Sequence, residues 1–377
     1  MRVALFAGHS GGHLFPALSF AEAFKAEHPQ SRIHLITSRK GEGIVSRMPQ
    51  NIFDQTTYFP DFPYPRGFSW SSFSFCFKLL SAFGLAYRLL KEWKPDLTVG
   101  FGSYIAYPGL LTSAWIKIPT MIHEQNVIPG KATEWLASHV DCVCVSFEKT
   151  FSHKKLKRIE VVGLPLRAEL RQAAQQKAHS GGDWTSRKVH LMVVGGSQGA
   201  NRLNQLILES FSRFSREELK KIAVKHVTGK VDYETVSRQY EDWGIEHQTF
   251  PFYREMGKLY GEADMAVTRA GANTLFELAM FGIPSIIIPY PHADGHQSLN
   301  AETFREAGAV VVRSESELDG VKLCDEIRFM ISDPQKRYGL QSAIKRFAGY
   351  GAEKRLVKIA SQLISQERTC KQHVMTS

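Results

Sequence analysis

Short apolar runs alternate with amphipathic stretches along nearly the whole chain. In the first half Val3–Ala7, Ile33–Thr37, Leu97–Gly100, Thr120–His123 and Cys142–Ser146 read as strands. In the second, Val189–Val194, Ala223–Val227, His247–Thr249, Met265–Thr268, Ser285–Pro289 and Ala309–Val312 repeat the rhythm. Between them lie segments with helical periodicity, Phe15–Glu27 and Leu203–Phe211 among them. Near the end, Ala352–Gln366 carries Leu356, Ile359, Ala360 and Leu363 on one helical face. Strand and helix in alternation predict an α/β protein with parallel sheets covered by helices on both faces. A strand gives way to a turn around Val161–Arg167, before the polar stretch Gln172–Lys188, and the pattern restarts after it. This predicts one domain over 1–163 and a second over 164–345. The remainder, 346–377, is expected to hold a helix packing back toward the first domain and a polar tail frayed from Glu367.

Two of the predicted strands run into glycine-rich loops, Gly8-His9-Ser10-Gly11-Gly12-His13 and Gly195-Gly196-Ser197-Gln198-Gly199-Ala200, and each loop leads into a predicted helix. Strand, glycine loop and helix present bare N–H groups and the positive end of a helix to an anion. Neither loop is a G-x-G-x-x-G fingerprint, and the second strand ends in Ser38-Arg39-Lys40 rather than in an acidic residue that would hold a dinucleotide ribose. No G-K-[ST] follows either loop, which argues against a Walker-type nucleotidase. A phosphorylated ligand handled by two similar halves is the reading that remains.

Composition narrows this further. With 377 residues, 43% hydrophobic and 22% charged, the chain suits two globular domains. The net charge of +10 favours anionic partners, a phosphorylated substrate or an anionic membrane surface. Nucleic acid is not expected, since no helix-turn-helix, finger or ribonucleoprotein motif occurs. Met1-Arg2-Val3 leads directly into the first strand, predicting no signal peptide. Five cysteines without a C-x-x-C pair predict reduced thiols, with Cys142 and Cys144 at alternate strand positions.

Two polar clusters follow predicted strands. In Thr268–Glu277, Gly271 permits a tight turn and Ala272, Asn273 and Thr274 can present N–H groups at a helix start. Glu277, one turn in, can accept two hydrogen bonds from a ribose diol or be a helix charge only. His123-Glu124-Gln125-Asn126 stands at the carboxyl end of a strand, where ligands are read in such sheets. His292, Asp294 and His296 match no strong metal-ligand spacing, and no metal or other cofactor is expected. The aromatic stretch Phe68–Trp93 is interrupted by Lys78, Arg88 and several serines, which argues against a membrane span. Its stripe Phe73, Phe77, Leu80 and Phe83, with cations nearby, suits either a helix lying in a membrane interface or one facing the core.

Taken together, GHSGGHLFPAL, GFGSY, HEQN, GGSQGANRLN and TRAGANTLFELAMFGIPSIIIPYPHADGHQSLNA make the chain resemble glycosyltransferase family 28, over nearly its whole length. The resemblance implies the GT-B architecture, two Rossmann-like domains facing a central cleft. It also implies transfer of N-acetylglucosamine from UDP-N-acetylglucosamine to the C4 hydroxyl of a polyprenyl-diphosphate-linked muramoyl-pentapeptide. By position, Ser10, Gly11 and Gly12 match the family's N-terminal loop, Asn126 its acceptor-side asparagine and Arg167 the arginine of the interdomain linker. Ser197 falls on the donor phosphate, Tyr253 on the uracil, Ala272, Asn273, Thr274, Leu275, Phe276 and Glu277 on the donor-binding helix start, and Gln297 on the donor sugar. Phe73, Phe77, Leu80 and Phe83 then form a membrane patch on the cytoplasmic face of the inner membrane, and other cell-wall synthesis proteins are implied partners. The chain departs from the family in having Ser10 for threonine, His9 for glycine, Leu164 for asparagine and His296 for glutamine. Inverting transfer needs a base, for which His13 is the first candidate and Glu124 the second. No D-x-D motif occurs, so charge on the leaving diphosphate is left to helix N-termini after Gly199 and Gly271, with Arg167 or Arg269. A UDP-sugar 2-epimerase, or another glycolipid transferase of the same architecture, is the alternative.

Overall fold

A computed structural model describes residues 1–61, 70–152, 154–179, 188–195, 200–291 and 295–376, with side chains left out at 70–76, 178–179 and 370–376. Two compact units result, one made of Met1–Arg167 with Gly351–Ser377, the other of Ala168–Tyr350.

The first unit holds seven parallel strands: β1 (Arg2–Ala7), β2 (Arg32–Ser38), β3 (Gln55–Phe59), β4 (Leu97–Phe101), β5 (Thr120–Glu124), β6 (Cys142–Val145) and β7 (Ile159–Val161). Their order is β3-β2-β1-β4-β5-β6-β7. The second unit holds β8 (Val189–Val194), β9 (Ile222–Val227), β10 (Glu246–Phe250), β11 (Met265–Thr268), β12 (Ser285–Ile287) and β13 (Val311–Val312), ordered β10-β9-β8-β11-β12-β13. Both sheets reverse their direction of build beside the first strand, between β1 and β4 and between β8 and β11. In open parallel sheets such a reversal leaves a crevice at the carboxyl ends of the strands, where ligands bind.

The central strands are near-continuous apolar runs because both faces of each sheet are covered there. Val3, Leu5 and Ala7 of β1 pack on one side with Leu14, Leu18, Phe20 and Phe24 of the helix Gly11–Glu27. Ala4 and Phe6 pack on the other with Ala86, Leu90, Ile105 and Leu110. β3 carries no apolar alternation and goes unannounced in the sequence: Gln55-Thr56-Thr57-Tyr58-Phe59 is a polar edge strand paired to β2.

The final helix spans Ala352–Thr376, and Leu356, Val357, Ile359, Ala360, Leu363 and Ile364 are buried in the core of the first unit. The frayed tail expected from Glu367 is instead helix. No glycine or proline interrupts Glu367–Thr376, and Arg368 bonds Asp96 at 3.1 Å. Buried Leu and Ile side chains stabilise by about 1.5–3 kcal/mol each, so this helix is integral to the first unit. Cys142 and Cys144 lie at successive positions on the same face of β6, both buried and free.

Candidate functional site

In the first unit, the loop after β1 enters the helix Gly11–Glu27 through Ser10, whose backbone is extended at φ −86° and ψ 157°. The Ser10 carbonyl accepts from the N–H groups of His13 and Leu14, and the helix start leaves the amides of Gly11 and Gly12 without intrahelical carbonyls. The Ser10 hydroxyl does not cap the helix; it bonds Nδ1 of His13 at 3.1 Å.

The imidazole of His13 is wedged between two backbones. A Cβ at Gly8 would lie 2.6 Å from Nδ1, and one at Gly102, where φ is +76°, would lie 2.9 Å from Nε2. Only glycine at both positions admits the ring, which accounts for Gly8 after β1 and Gly102 after β4. Burial, with a smaller push from His9, lowers the pKa of His13 to about 4, so the ring is neutral at physiological pH.

The segment after β5 is held by its own side chains. Glu124 is 2% exposed, and its Oε1 accepts from the Asn126 amide (3.0 Å) and from Asn126 Nδ2 (3.2 Å), while Oε2 accepts from the Gly130 amide (3.2 Å). Burial raises its pKa, and hydrogen bonds from Asn126, Gly130 and Thr133 work against that rise. A carboxylate so engaged fixes the Asn126–Gly130 turn. His123 is fully buried, bonds Gly163 O at 3.0 Å through Nε2, and has its pKa lowered by burial to about 4. Asn126 is half-buried, and its carbonyl accepts from Thr150. The guanidinium of Arg167 lies 4.4 Å over the ring of Phe15.

In the second unit, Gly271 (φ −62°, ψ 138°) caps the helix Ala272–Phe281. Its carbonyl accepts from the Leu275 amide, so the helix opens on the amides of Ala272, Asn273 and Thr274. Leu275 and Phe276 are buried in the core, Phe276 edge-on to Phe304, and contribute packing under this turn. Glu277 is 7% exposed and accepts from the hydroxyl of Tyr260 at 2.7 Å. Tyr260 gave no sign in the sequence, being one more bulky position on a short helix.

The Gln297 side chain joins the two loops that follow β11 and β12: its Oε1 accepts from the amides of Ala270 (3.1 Å) and Tyr290 (2.9 Å). Arg269 is already engaged within the unit. It pairs with Glu315 and donates to Ile288 O, so it does not supply the free cation expected for a leaving diphosphate. Tyr253 is half-buried beyond β10, its ring 4.4 Å from that of Phe250. Ser197 lies outside the described residues, as do His292 and Asp294. Among the described residues no three His, Cys, Asp or Glu side chains gather as a metal site.

The helix Trp70–Trp93 divides the aromatic stripe. Phe77 and Leu80 are 73% and 70% exposed, whereas Phe83 turns inward and stacks on Trp115 at 5.5 Å. The side chain of Phe73 lies outside the described residues. No helix among the described residues is long and apolar enough to cross a membrane.

Two all-parallel sheets of like order, each with an open helix start at its reversal point, define a protein of the GT-B type. The glycosyltransferase family 28 N-terminal domain matches residues 3–145 and the family 28 C-terminal domain matches residues 190–360. A Desulfotalea psychrophila protein named UDP-N-acetylglucosamine–N-acetylmuramyl-(pentapeptide) pyrophosphoryl-undecaprenol N-acetylglucosamine transferase is 33% identical over 371 residues, covering 97% of this chain and 98% of its own. A Halothermothrix orenii protein of the same name is 32% identical, covering 95% and 98%. The crystal structure of Acinetobacter baumannii MurG superimposes with a TM-score of 0.75 at 25% identity, covering 96% of this chain and 99% of that one. The chain belongs to glycosyltransferase family 28.

Proposed function

We propose that the protein is a UDP-N-acetylglucosamine-dependent hexosyltransferase that converts lipid I to lipid II in peptidoglycan synthesis. The observation that carries this reading is that both family domains, each with its own reversal-point loop, occur in one chain that aligns end to end with transferases so named. The second unit takes the donor. The amides at Ala272–Thr274 face its diphosphate, Ser197 assists them, Glu277 takes the ribose hydroxyls, Gln297 the sugar, and the backbone at Tyr253 the uracil. A preorganised donor aimed at developing charge contributes roughly 3–4 kcal/mol to such a step.

The first unit takes the acceptor, with Ser10, Gly11, Gly12 and Asn126 around it. The C4 hydroxyl oxygen of the muramoyl sugar bonds to C1 of the donor sugar. The bond from C1 to the diphosphate oxygen breaks, UDP leaves with the electron pair, and the hydroxyl proton passes to His13. In the tautomer suited to this, Nδ1–H donates to Ser10 Oγ and Nε2 keeps its lone pair. An anionic diphosphate nearby raises the proton affinity of a ring that burial has depressed. Glu124 serves as the anchor of the Asn126 turn. Phe77 and Leu80, with Phe73, rest on the anionic cytoplasmic face of the inner membrane, where other cell-wall synthesis proteins gather.

The reading is tested by measuring UDP release from UDP-N-acetylglucosamine with and without a polyprenyl-diphosphate-linked muramoyl-pentapeptide. Release that depends on the acceptor, with a disaccharide product, is expected. Consumption of donor at the same rate without acceptor would point to an epimerase and end the proposal.

A further inference from the structure

The carboxylate of Glu277 stands in the second turn of its helix, where the helix dipole has largely faded. A carboxylate 7% exposed at that place is costly unless donors hold it in its charged form. One donor comes from a different helix: Tyr260, on Met256–Glu262, gives its hydroxyl to Glu277 Oε2 at 2.7 Å. Tyr260 is itself immobilised. It is 1% exposed, its ring stacks on Phe281 at 5.3 Å, and its carbonyl accepts from Lys177 Nζ at 3.0 Å. The same Lys177 ammonium also donates to Ala263 O, at 2.6 Å, tying down the end of the Tyr260 helix. A tyrosine hydroxyl that needed only an acceptor could have used a carbonyl or a glutamine. Here it is joined to a nearly buried carboxylate on the helix that begins with Ala272–Thr274.

We infer that Tyr260 is a positioning residue for nucleotide specificity: its hydroxyl sets the rotamer of Glu277 so that the carboxylate faces the ribose hydroxyls of a uridine diphosphate. The inference rests on the proposed role of Glu277 at the ribose. A carboxylate has lone pairs enough to accept from the phenol and from a diol together, and fixing one oxygen orients the other. With the phenol removed, the carboxylate loses the hydrogen bond that fixes Oε2, and the protein discriminates less between ribose and 2′-deoxyribose.

The experiment is calorimetric titration of the whole protein with UDP and with 2′-deoxy-UDP, for the unaltered chain, Tyr260→Phe and Glu277→Ala. Melting temperatures confirm that each variant is folded at the titration temperature. The unaltered protein is expected to prefer UDP by about ten-fold, the size of one hydrogen bond to a charged group. Glu277→Ala should abolish the preference, and Tyr260→Phe, which keeps the ring and its stack, should reduce it to about three-fold or less. If Glu277→Ala loses the preference while Tyr260→Phe retains it in full, the positioning role is overturned and the ribose role of Glu277 stands. Should Glu277→Ala itself keep the preference, the ribose reading fails and the inference falls with it.

Discussion

The helix starts compared at the two reversal points follow different strands, β1 in one unit and β11, the counterpart of β4, in the other, and differ in chemistry. After β1 and β4 the crevice is filled by a side chain, the His13 ring held between Gly8 and Gly102 and bonded by Ser10. After β11, in the second unit, the opening presents backbone amides at Ala272–Thr274 with a carboxylate fixed behind them. One loop keeps a neutral, titratable group close to its reversal point; the other keeps a set of dipoles that cannot titrate. Proton handling and anion binding can thus be divided between two copies of one architecture, because a parallel sheet supplies the same crevice whatever side chains the loops carry.

The sharpest test of that division is His13→Ala. Turnover should fall by roughly 10²–10⁴-fold, the usual contribution of a general base, while donor affinity is largely kept. Steady-state kinetics with both substrates varied would decide it, and turnover within a few-fold of the unaltered protein would erase the contrast between the loops. Acidification is next in size. Burial lowers the pKa of His13, His34 and His123 to about 4 and that of His226 to about 3. The unfolded chain, with histidines near 6.5, therefore binds more protons than the folded one below that pH. Stability is complete above about pH 6.5 and falls as pH drops toward 4, by up to about 1.4 kcal/mol per pH unit for each group. Three of these four histidines lie in the first unit, so loss of structure probed there should lead in acid melts. A flat melting temperature from pH 7 to 4.5 would contradict the assigned causes.

Glu124→Gln is expected to cost about 1–3 kcal/mol, since an amide cannot accept at both the Asn126 and Gly130 amides and leaves a buried donor facing another. The accompanying rise should be in the acceptor KM, with the donor KM unmoved. A selective loss of turnover without loss of stability would instead make Glu124 a base. The smallest effect on folding belongs to Phe77→Ser with Leu80→Ser, within about 0.5 kcal/mol for such exposed positions. Their expected consequence is weaker sedimentation with anionic phospholipid vesicles, and undiminished binding would remove them from the proposed membrane face.

Eleven of the thirteen strands among the described residues were read from short β-rich runs and a twelfth as the strand ending near Val161; the central ones are apolar because a strand buried on both faces must be so throughout. The strand that went unread, Gln55–Phe59, lies at a sheet edge, where polar residues are tolerated, as they are in the other edge strand Glu246–Phe250. The final helix was legible to Gln366, where the apolar face ends; its continuation to Thr376 rests on helix propensity and on the bond from Arg368 to Asp96. Glycine loops and polar clusters named His13, Glu124, Asn126 and Glu277 as chemistry-bearing, since those residue types follow strands in positions where a core would not place them. Their actual partners were beyond such reading.

Which residues can bear chemistry was thus set by the chain alone, for spacing and residue type are local properties. What each does with it was decided in three dimensions. Arg269 meets Glu315 and loses its free charge, Glu124 turns back to its own loop, and Tyr260 reaches Glu277 from another helix. These pairings join segments brought together by sheet order and helix packing, and a hydrogen bond acts over about 3 Å whatever the distance along the chain.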